Sequence, residues 1–414
     1  MDPRPHTGHT GSALKAHNRR AVLRTLLRYG PVSRVQIAEH TGLSSTTVTN
    51  LVAALLAQGV VAEADLTALP ARERGVGRPR TALRLVPGAR RVIGVHIGVG
   101  QVRVAVCDLL GCPLHTRVLE HAPEQPADQV LDAIVALVED AIAQDGAGRA
   151  ALLGVGVGAS GLVDPASGVN ILAPNLGWRD VPLRDRLAER LRLPVCVDNN
   201  VRGMALAEAL FGAGQGVGVL AFVYARVGVG AGFVVDGRVY RGGAGAGEIG
   251  HVTLLADGGE PCRCGSTGCL ETLVSEAAFA RRAAMLAARD PQGTLARHLA
   301  AADRPPMQRI FDAAREGDPA TLELLNERAR YMGLGLANLV NTLSPELIIL
   351  GGLFAEGADV LFGAVRETLR RHAFAGLGER VRLIPPTFGD DAGIVGAAAL
   401  ALDAFFYEVN EGTL

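Results

Sequence analysis

Three cysteines and one histidine near the middle of the chain have the residue types and spacing of a metal site. Cys262, Cys264 and Cys269 lie within eight residues, with glycines that allow a tight turn, and His251 precedes them. Thiolate sulfur and neutral imidazole nitrogen are ligands that zinc prefers, and four of them complete a tetrahedral shell with no open position for water. The sequence therefore predicts a structural zinc site. Three reduced thiols in a loop are the alternative.

The elements that position these ligands belong to a repeated pattern. Residues 92–111 and 220–240 each read as an apolar strand, a glycine-rich turn and a second strand. Helical periodicity over residues 130–138 predicts a helix between the two repeats, as expected for alternating β and α elements. The repetition predicts a duplicated α/β domain whose two lobes enclose a cleft.

Ahead of the repeats, residues 14–63 have the apolar spacing of three short helices. Ser33, with a glutamine three residues later, forms a capping-box start for the second helix, and Gly42 ends it. The third helix starts at Ser44 or Ser45. Three helices with a glycine-bearing turn between the last two match the helix-turn-helix plan.

A wing is predicted to follow the third helix. Val60 and Val61 are apolar, residues 73–80 are rich in Gly, Arg and Pro, and residues 81–85 alternate between apolar and polar positions. Two strands joined by an arginine-bearing tip account for this order. Residues 1–13, rich in Pro, Gly and polar side chains, are interpreted as a disordered leader.

Charge is distributed unevenly along the chain. Residues 1–90 contain thirteen Lys or Arg against five Asp or Glu, a net charge of +8, whereas the remainder has 28 against 37, a net charge of −9. A basic head on an acidic body favours a polyanionic partner, most simply double-stranded DNA. A solvated basic surface, or a helical bundle used for dimerisation, is the alternative interpretation.

The predicted DNA contacts fall into three groups. Short hydroxyls and an amide of the third helix would face base edges and phosphates in the major groove. Arg34 and the first-helix residues Arg19, Arg20 and Arg24 would contact backbone phosphates, and two wing arginines would enter a minor groove. The residues predicted to make these contacts in the third helix and the wing are Ser44, Ser45, Thr46, Thr47, Asn50, Arg78 and Arg80.

Chain length and composition set the remaining expectations. A chain of 414 residues predicts two or three domains. No run of about 18 uncharged apolar residues occurs, and the first thirty residues carry His and Arg where a signal peptide is apolar, so we expect a cytoplasmic protein without a membrane segment. The scattered Cys107, Cys112 and Cys196 do not resemble a disulfide framework.

Several motifs occur in order along the body and carry a family resemblance. They are AlaProAsnLeuGlyTrp at 173–178, ValAspAsnAsn at 197–200, GluIleGlyHis at 248–251, the cysteine knuckle at 261–271, and AsnThrLeuSerProGlu at 341–346 before a glycine pair. With the helix-turn-helix and the GlyArgProArg wing, they resemble the ROK family, named for repressors, open reading frames and kinases. The resemblance implies an α/β fold with a winged helix-turn-helix at 14–88 and a two-lobed, actin-like and sugar-kinase-like (ribonuclease H-like) body at 89–414.

In that family, amides and carboxylates of these motifs hold the hydroxyls of a sugar. A hydroxyl both donates and accepts, so such side chains can pair it, and a zinc knuckle would fix the histidine and the last glutamate. The resemblance therefore implies a carbohydrate effector bound by Asn175, Asn199, Asn200, Glu248, His251 and Glu271.

The chain departs from the family's kinases where phosphoryl transfer needs a base and a phosphate cradle. Asn200 stands where active members have the catalytic Asp, residues 96–101 lack the Asp, Thr and Lys of the first phosphate turn, and residues 226–228 lack the Gly-Thr-Gly of the second. We therefore predict a sugar-responsive regulator, without enzymatic activity, that acts as a homodimer or dimer of dimers. An ATP-dependent ROK sugar kinase is the alternative, and a DNA-bound dimer without a ligand is a third interpretation.

Overall fold

The head is a three-helix unit with a short sheet. The computed structural model describes residues 11–64, 81–301 and 304–407. The elements of the head are α1 (Gly11–Tyr29), β1 (Val32–Ser33), α2 (Arg34–Thr41), α3 (Ser45–Ala57), β2 (Val61–Ala64) and β3 (Ala82–Leu85).

Local sequence signals account for the boundaries of the head helices. The Ser33 side chain accepts from the Gln36 amide, and the Gln36 side chain accepts from the Ser33 amide, which is the predicted capping box. Gly42 ends α2 with a φ of 69°, a conformation that glycine adopts without a steric penalty. Ser44 caps α3 by accepting from the Thr47 amide. The predicted helix-turn-helix is therefore present.

The two strands of the predicted wing pair in an antiparallel hairpin, with Val61 opposite Leu85. Its tip, including Arg78 and Arg80, lies outside the described residues. The leader prediction is wrong at its end, because residues 11–13 form the first turn of α1; the rest of the leader also lies outside the described residues.

The first lobe has a mixed five-stranded sheet in the order β11-β7-β4-β5-β6, with a small antiparallel sheet, β8-β9-β10, at its side. Strand β4 pairs antiparallel with β5 and parallel with β7. The elements are β4 (Arg91–Ile97), β5 (Gln101–Cys107), β6 (Pro113–Glu120), α4 (Ala127–Asp145), β7 (Leu152–Ala159), β8 (Leu162–Asp164), β9 (Val169–Ala173), β10 (Trp178–Val181), α5 (Leu183–Leu191) and β11 (Val195–Asn199).

The second lobe repeats this topology with the sheet order β14-β13-β12-β15-β16, so the predicted duplication is confirmed. Most of its helices pack on one face of the sheet in a shared apolar core. The elements are α6 (Asn200–Phe211), β12 (Val219–Ala225), β13 (Val229–Val235), β14 (Arg238–Tyr240), α7 (Leu270–Val274), α8 (Glu276–Arg289), α9 (Thr294–Ala300), α10 (Pro306–Arg315), α11 (Pro319–Leu343), β15 (Leu347–Gly352), α12 (Leu353–Glu356), α13 (Ala358–His372), α14 (Leu377–Arg380), β16 (Arg382–Ile384) and α15 (Ala392–Leu402).

Two buried helices, α6 and α15, cross between the lobes. Helix α6 follows the last strand of the first lobe but packs on β12 and β13 of the second, whereas α15 packs on β4 and β7 of the first. Their backbones approach closely where Gly203 meets Gly396, because a Cβ at Gly396 would lie 2.7 Å from the Met204 nitrogen. Glycine therefore permits the crossing that joins the lobes.

Head and body share one apolar core. Val22, Leu23 and Leu26 of α1 belong to the same buried cluster as Leu210 of α6 and Phe406 in the final turn, Asp403–Tyr407. The head is thus packed against the body through the C-terminal half of α1. Within the described ranges, no helix combines the length and the hydropathy needed to cross a membrane.

Candidate functional site

The four predicted metal ligands come together in one cluster. Their donor atoms all lie within 4.8 Å of one another. Cys262 Sγ is 3.5 Å from His251 Nδ1, and Cys264 Sγ is 3.8 Å from Cys269 Sγ. Zinc bonds of about 2.1 Å to nitrogen and 2.3 Å to sulfur give tetrahedral edges of about 3.6 to 3.8 Å, so the cluster has the dimensions of a four-coordinate site.

The backbone of this knuckle is held by short-range hydrogen bonds. The Cys262 amide donates to the Ser266 carbonyl at 2.8 Å, and the Gly265 amide returns to the Cys262 carbonyl at 3.0 Å. Gly268 has a φ of 70°, and a Cβ there would lie 1.9 Å from the Leu255 carbonyl oxygen, so only glycine fits. The glycines noted in the sequence thus shape the knuckle.

The protonation of the cluster is linked to cation binding. Burial and the neighbouring thiols raise the pKa of Cys269 to about 12, so this group is a neutral thiol at pH 7 without a cation. Cys269 would bind a cation as the thiolate, so cation binding would release the thiol proton. Because His251 turns Nδ1 toward the sulfurs, its Nε2 is left for a partner outside the cluster.

Two of the predicted sugar contacts, Glu271 and Asn175, lie close together beside the knuckle. Glu271 lies in the first turn of α7, two residues after Cys269, and its Oε2 accepts from the Val229 amide at 2.9 Å. Asn175 of the first lobe approaches from the loop between β9 and β10, since a Cβ at Gly228 would lie 3.0 Å from Glu271 Oε2 and 3.5 Å from Asn175 Nδ2. The two lobes therefore bring an amide and a carboxylate to one point.

Glu248 lies beside the same histidine, at the start of the short turn Ile249–His251. Its side chain is exposed to solvent, yet the surrounding protein displaces part of its hydration and raises the pKa of the carboxyl. The nearby His251 and the guanidinium of Arg202 oppose that rise, and the Glu271 carboxylate adds to it. The carboxylate is thus accessible to a ligand and adjoins the other polar groups.

The asparagine pair at the start of α6 divides into two roles. Asn199 is the N-cap: its Oδ1 accepts from the Val201 and Arg202 amides at 2.9 and 3.2 Å, and its Nδ2 donates to the Gly161 carbonyl. These bonds give Asn199 a structural role whether or not it also contacts a ligand. Asn200 is buried, with Nδ2 3.5 Å from His96 Nε2.

His96 occupies the first of the two altered turns. Its ring lies against the backbone of two glycines, because a Cβ at Gly393 would lie 2.7 Å from the ring and one at Gly98 would lie 3.3 Å from it. Enclosure by protein lowers the pKa of His96 to about 4, and the nearby Arg103 lowers it further. At pH 7 this position holds a neutral imidazole.

This shift predicts a pH-dependent stability. Below about pH 6.5 the unfolded chain protonates His96, whereas the folded protein resists until about pH 4, so stability is complete above pH 6.5 and declines toward pH 4. Between pH 7.5 and 5 we expect the free energy of unfolding to fall by about 2 kcal/mol more for the wild type than for His96→Gln. Urea unfolding at the two pH values measures this difference. The exposed His372→Gln variant should behave like the wild type; equal losses for His96→Gln and the wild type would contradict the assignment.

Comparison with known proteins places this arrangement in a family. The family model described as ROK family matches residues 92–404, and a winged helix-turn-helix DNA-binding model matches residues 16–62. The chain belongs to the ROK family.

Two kinds of ROK protein resemble the chain over different lengths. It is 30% identical to the xylose repressor of Caldicellulosiruptor bescii, over 94% of this chain and 96% of that protein. The crystal structure of a ROK family transcriptional regulator, a homologue of the Escherichia coli MLC protein, covers 96% of this chain and 97% of its own, with a TM-score of 0.80 and 26% identity. A ROK glucokinase from Streptomyces griseus, solved with glucose and AMPPNP, covers 76% of this chain and 99% of its own, with a TM-score of 0.67 and 34% identity.

In the ROK head, the predicted recognition residues lie on an open face of α3. Ser45, Thr46 and Asn50 are exposed, and Ser44 and Thr47 share the helix cap through a 2.9 Å contact between their hydroxyls. Arg34 is partly exposed and lies 4.0 Å from Glu63 of β2. These side chains are available to a partner.

The first-helix arginines do not share that face, which corrects the prediction that they contact phosphates. Arg19 is 2% exposed and donates to the Phe406 carbonyl at 2.6 Å. Arg24 donates to the Gly237 carbonyl at 2.7 Å, and both Arg20 and Arg24 pair with Asp403, at 3.5 and 3.1 Å. The positive charge of α1 thus attaches the head to the ROK body.

The structure also adds a residue that the sequence analysis missed. Arg202 is buried, lies 2.7 Å from the Asp198 carboxylate, and donates to the carbonyls of Val163 and Ala244 at 2.9 Å each. It thereby ties the first lobe to the loop that leads into Glu248. Its position two residues after the ValAspAsnAsn motif is a weak signal, because only the fold places Ala244 beside it.

Proposed function

We propose that this ROK protein is a sugar-responsive transcriptional regulator. Its head binds a double-stranded DNA operator, and its body binds a sugar or sugar derivative without phosphorylating it. The observation that carries the proposal is that a helix-turn-helix head shares one core with a two-lobed body in which Asn175 and Glu271 come together and Asn200 lies beside His96. The xylose repressor named above matches the chain over this whole arrangement.

Both altered turns favour binding without phosphoryl transfer. In the first, a neutral His96 contacts the Asn200 amide, so neither group offers a carboxylate base at pH 7. In the second, Arg226 forms an ion pair with Glu356 of α12, the helix that follows the glycine pair at the end of β15. An ion pair thus spans two segments that the kinase resemblance would place near nucleotide phosphates. An ATP-dependent sugar kinase remains the alternative.

The cation of the knuckle is proposed to be structural zinc. Three sulfurs and one nitrogen suit zinc, and four protein ligands leave no position for a reactive water. His251, Cys262, Cys264 and Cys269 would hold it, fixing His251 and the start of α7 that carries Glu271.

On DNA, a symmetric dimer is proposed to place two α3 helices in major grooves about one helical turn apart, or a multiple of it. Ser44, Ser45, Thr46, Thr47 and Asn50 would face the groove and Arg34 the backbone, with Arg78 and Arg80 of the wing tip in a minor groove. Such a protein works where the chromosome is, so we propose a cytoplasmic location.

Helix α6 offers the route between the two functions. Its first turn carries Asn200 and Arg202, and its last turn packs on α1 through Leu210. A sugar that binds one arrangement of the lobes more tightly than another would shift α6 and, with it, the head. Operator affinity would then depend on the sugar.

The proposal is tested by measuring operator and sugar binding on the same protein. A panel of D-xylose, D-glucose, N-acetyl-D-glucosamine and their phosphates is titrated by calorimetry, with ATP as a control. Operator affinity is then measured with and without the sugar that binds. We expect a sugar-dependent change of at least about 10-fold and no ATP consumption. Sugar-dependent ATP hydrolysis would favour the kinase, and DNA binding without any sugar response would favour the ligand-free dimer.

Glu248→Ala separates the two activities. Removing a carboxylate that pairs ligand hydroxyls should weaken sugar binding about 30-fold or more, since a hydrogen bond to a charged group contributes about 2 kcal/mol. Operator affinity in the absence of sugar should stay within about 2-fold, because the head is untouched. Glu323→Ala, an exposed carboxylate of α11, is the matched control. Unchanged sugar affinity in Glu248→Ala would remove this residue from the pocket.

A further inference from the structure

Arg263 of the knuckle makes a contact that joins the two lobes at the proposed sugar site. It lies between the ligands Cys262 and Cys264, and its guanidinium donates to Asn175 Oδ1 at 2.7 Å. The two residues are 88 positions apart in the chain and belong to different lobes. None of the motif roles considered above assigns Arg263 a function.

This contact fixes the orientation of the Asn175 amide. A guanidinium has five N–H donors and no acceptor, so only the oxygen of the amide can face it. Asn175 Nδ2 must then point away from Arg263, and it lies toward the space above Gly228, 3.5 Å from where a Cβ would be. With Arg263 in place, Asn175 presents a donor to that space.

Glu271 presents an acceptor to the same space. Glu271 Oε2 lies 3.0 Å from the same point above Gly228 and accepts from the Val229 amide, which holds the carboxylate in place. A donor and an acceptor that both lie within about 3.5 Å of one side-chain-free position match two neighbouring hydroxyls of a sugar ring, one accepting from Asn175 and the other donating to Glu271.

We propose that Arg263 is a positioning residue for the effector: by holding the Asn175 oxygen, it turns the amide N–H toward a vicinal diol that also binds Glu271. The inference rests on the proposed sugar-binding function. No carboxylate among the described residues is within ion-pair distance of Arg263, so no ion pair there competes for the guanidinium. The tight knuckle backbone supplies a fixed origin for the side chain.

A double-mutant cycle on sugar affinity tests the proposal. The sugar of the panel that binds the wild type is titrated into Arg263→Ala, Asn175→Ala and the double variant by calorimetry, with metal content measured for each. If Arg263 acts through Asn175, we expect each single variant to lose about 10-fold in affinity and the double variant to lose no more than about 2-fold beyond Asn175→Ala. Arg263→Lys, which keeps one donor, should recover part of the loss.

The controls separate positioning from damage to the knuckle. Arg281→Ala removes an exposed guanidinium that pairs with Glu260, close to the knuckle but without contact to Asn175, and should bind sugar like the wild type. A deoxy analogue lacking the hydroxyl that faces Asn175 should bind the wild type more weakly but Arg263→Ala with a smaller relative loss, whereas an analogue lacking the hydroxyl that faces Glu271 should lose the same factor in both proteins. Losses that multiply in the double variant, or an unchanged Arg263→Ala, would overturn this proposal alone. Absence of sugar binding by the wild type would overturn the proposed function and this inference with it.

Discussion

Cys269→Ser is expected to empty the metal site and to lower sugar affinity about 100-fold or more. Cys269 is a buried member of the cluster proposed to hold the cation, it immediately precedes α7, and its backbone pairs with Thr253 across the knuckle. Loss of the cation would release His251 on one side and Glu271 on the other, and both are proposed ligand contacts. When the groups that orient a direct ligand contact are lost, affinity falls by about 10- to 100-fold even if the contact residue itself is kept.

The measurement combines metal analysis, calorimetry and operator binding. Wild-type protein treated with a strong chelator should reproduce the Cys269→Ser result, and readdition of zinc should restore sugar binding to the chelated wild type only. Operator affinity without sugar should persist, because α3 and the core of the head lie apart from the knuckle. Cys112→Ser, at an exposed cysteine outside the cluster, is the matched control. Full sugar affinity in a metal-free protein would show that the cation does not position the pocket.

The sequence predicted the site best where residues act on near neighbours. The capping box at Ser33 and the stop at Gly42 rest on hydrogen bonds within four residues, and both are present as expected. The four residues of the cysteine and histidine cluster span only residues 251–269, so their spacing already restricted the geometry. The duplicated topology was predictable because residues 92–111 and 220–240 share one sequence pattern, and each forms the same pair of strands in its lobe.

Partners that are distant in sequence were beyond such reasoning. The basic charge of α1 suggested contacts with DNA, but Arg24 donates to Asp403, which is 379 residues away in the chain. A count of charges does not show whether an arginine pairs with a carboxylate of the same chain or with a DNA phosphate. Asn199 matched a sugar-binding motif, yet the same side chain is a helix N-cap, a role that asparagine favours in any protein. The Arg263 contact with Asn175 also required the fold, because the two residues are 88 positions apart and belong to different lobes.

The ion pairs of Arg20 and Arg24 with Asp403 connect the head to the body, and we expect Asp403→Asn to weaken this connection. Burial lowers the pKa of Arg20 to about 10, and the Asp403 carboxylate opposes that change, so the carboxylate stabilises a buried cation. Side-chain exposures of 10%, 23% and 14% for Arg20, Arg24 and Asp403 keep solvent from replacing it. Removing the negative charge is expected to lower the free energy of unfolding by about 3 kcal/mol, the usual cost of leaving a buried charge unpaired.

The same substitution should uncouple the head from the sugar. If α6 and the Asp403 pairs transmit the lobe arrangement to α1, Asp403→Asn should bind sugar normally while its operator affinity no longer responds, and α1 amides should exchange faster with deuterium. Because coupling is reciprocal, bound operator should also stop altering sugar affinity in the variant. Glu367→Gln, which breaks solvent-exposed pairs with Arg370 and Arg371, should leave both the stability and the sugar response essentially unchanged. If operator affinity of Asp403→Asn still responds to sugar, and the α1 amides are protected as in the wild type, the coupling lies elsewhere. If Asp403→Asn no longer binds sugar, Asp403 supports the sugar pocket rather than the contact between head and body.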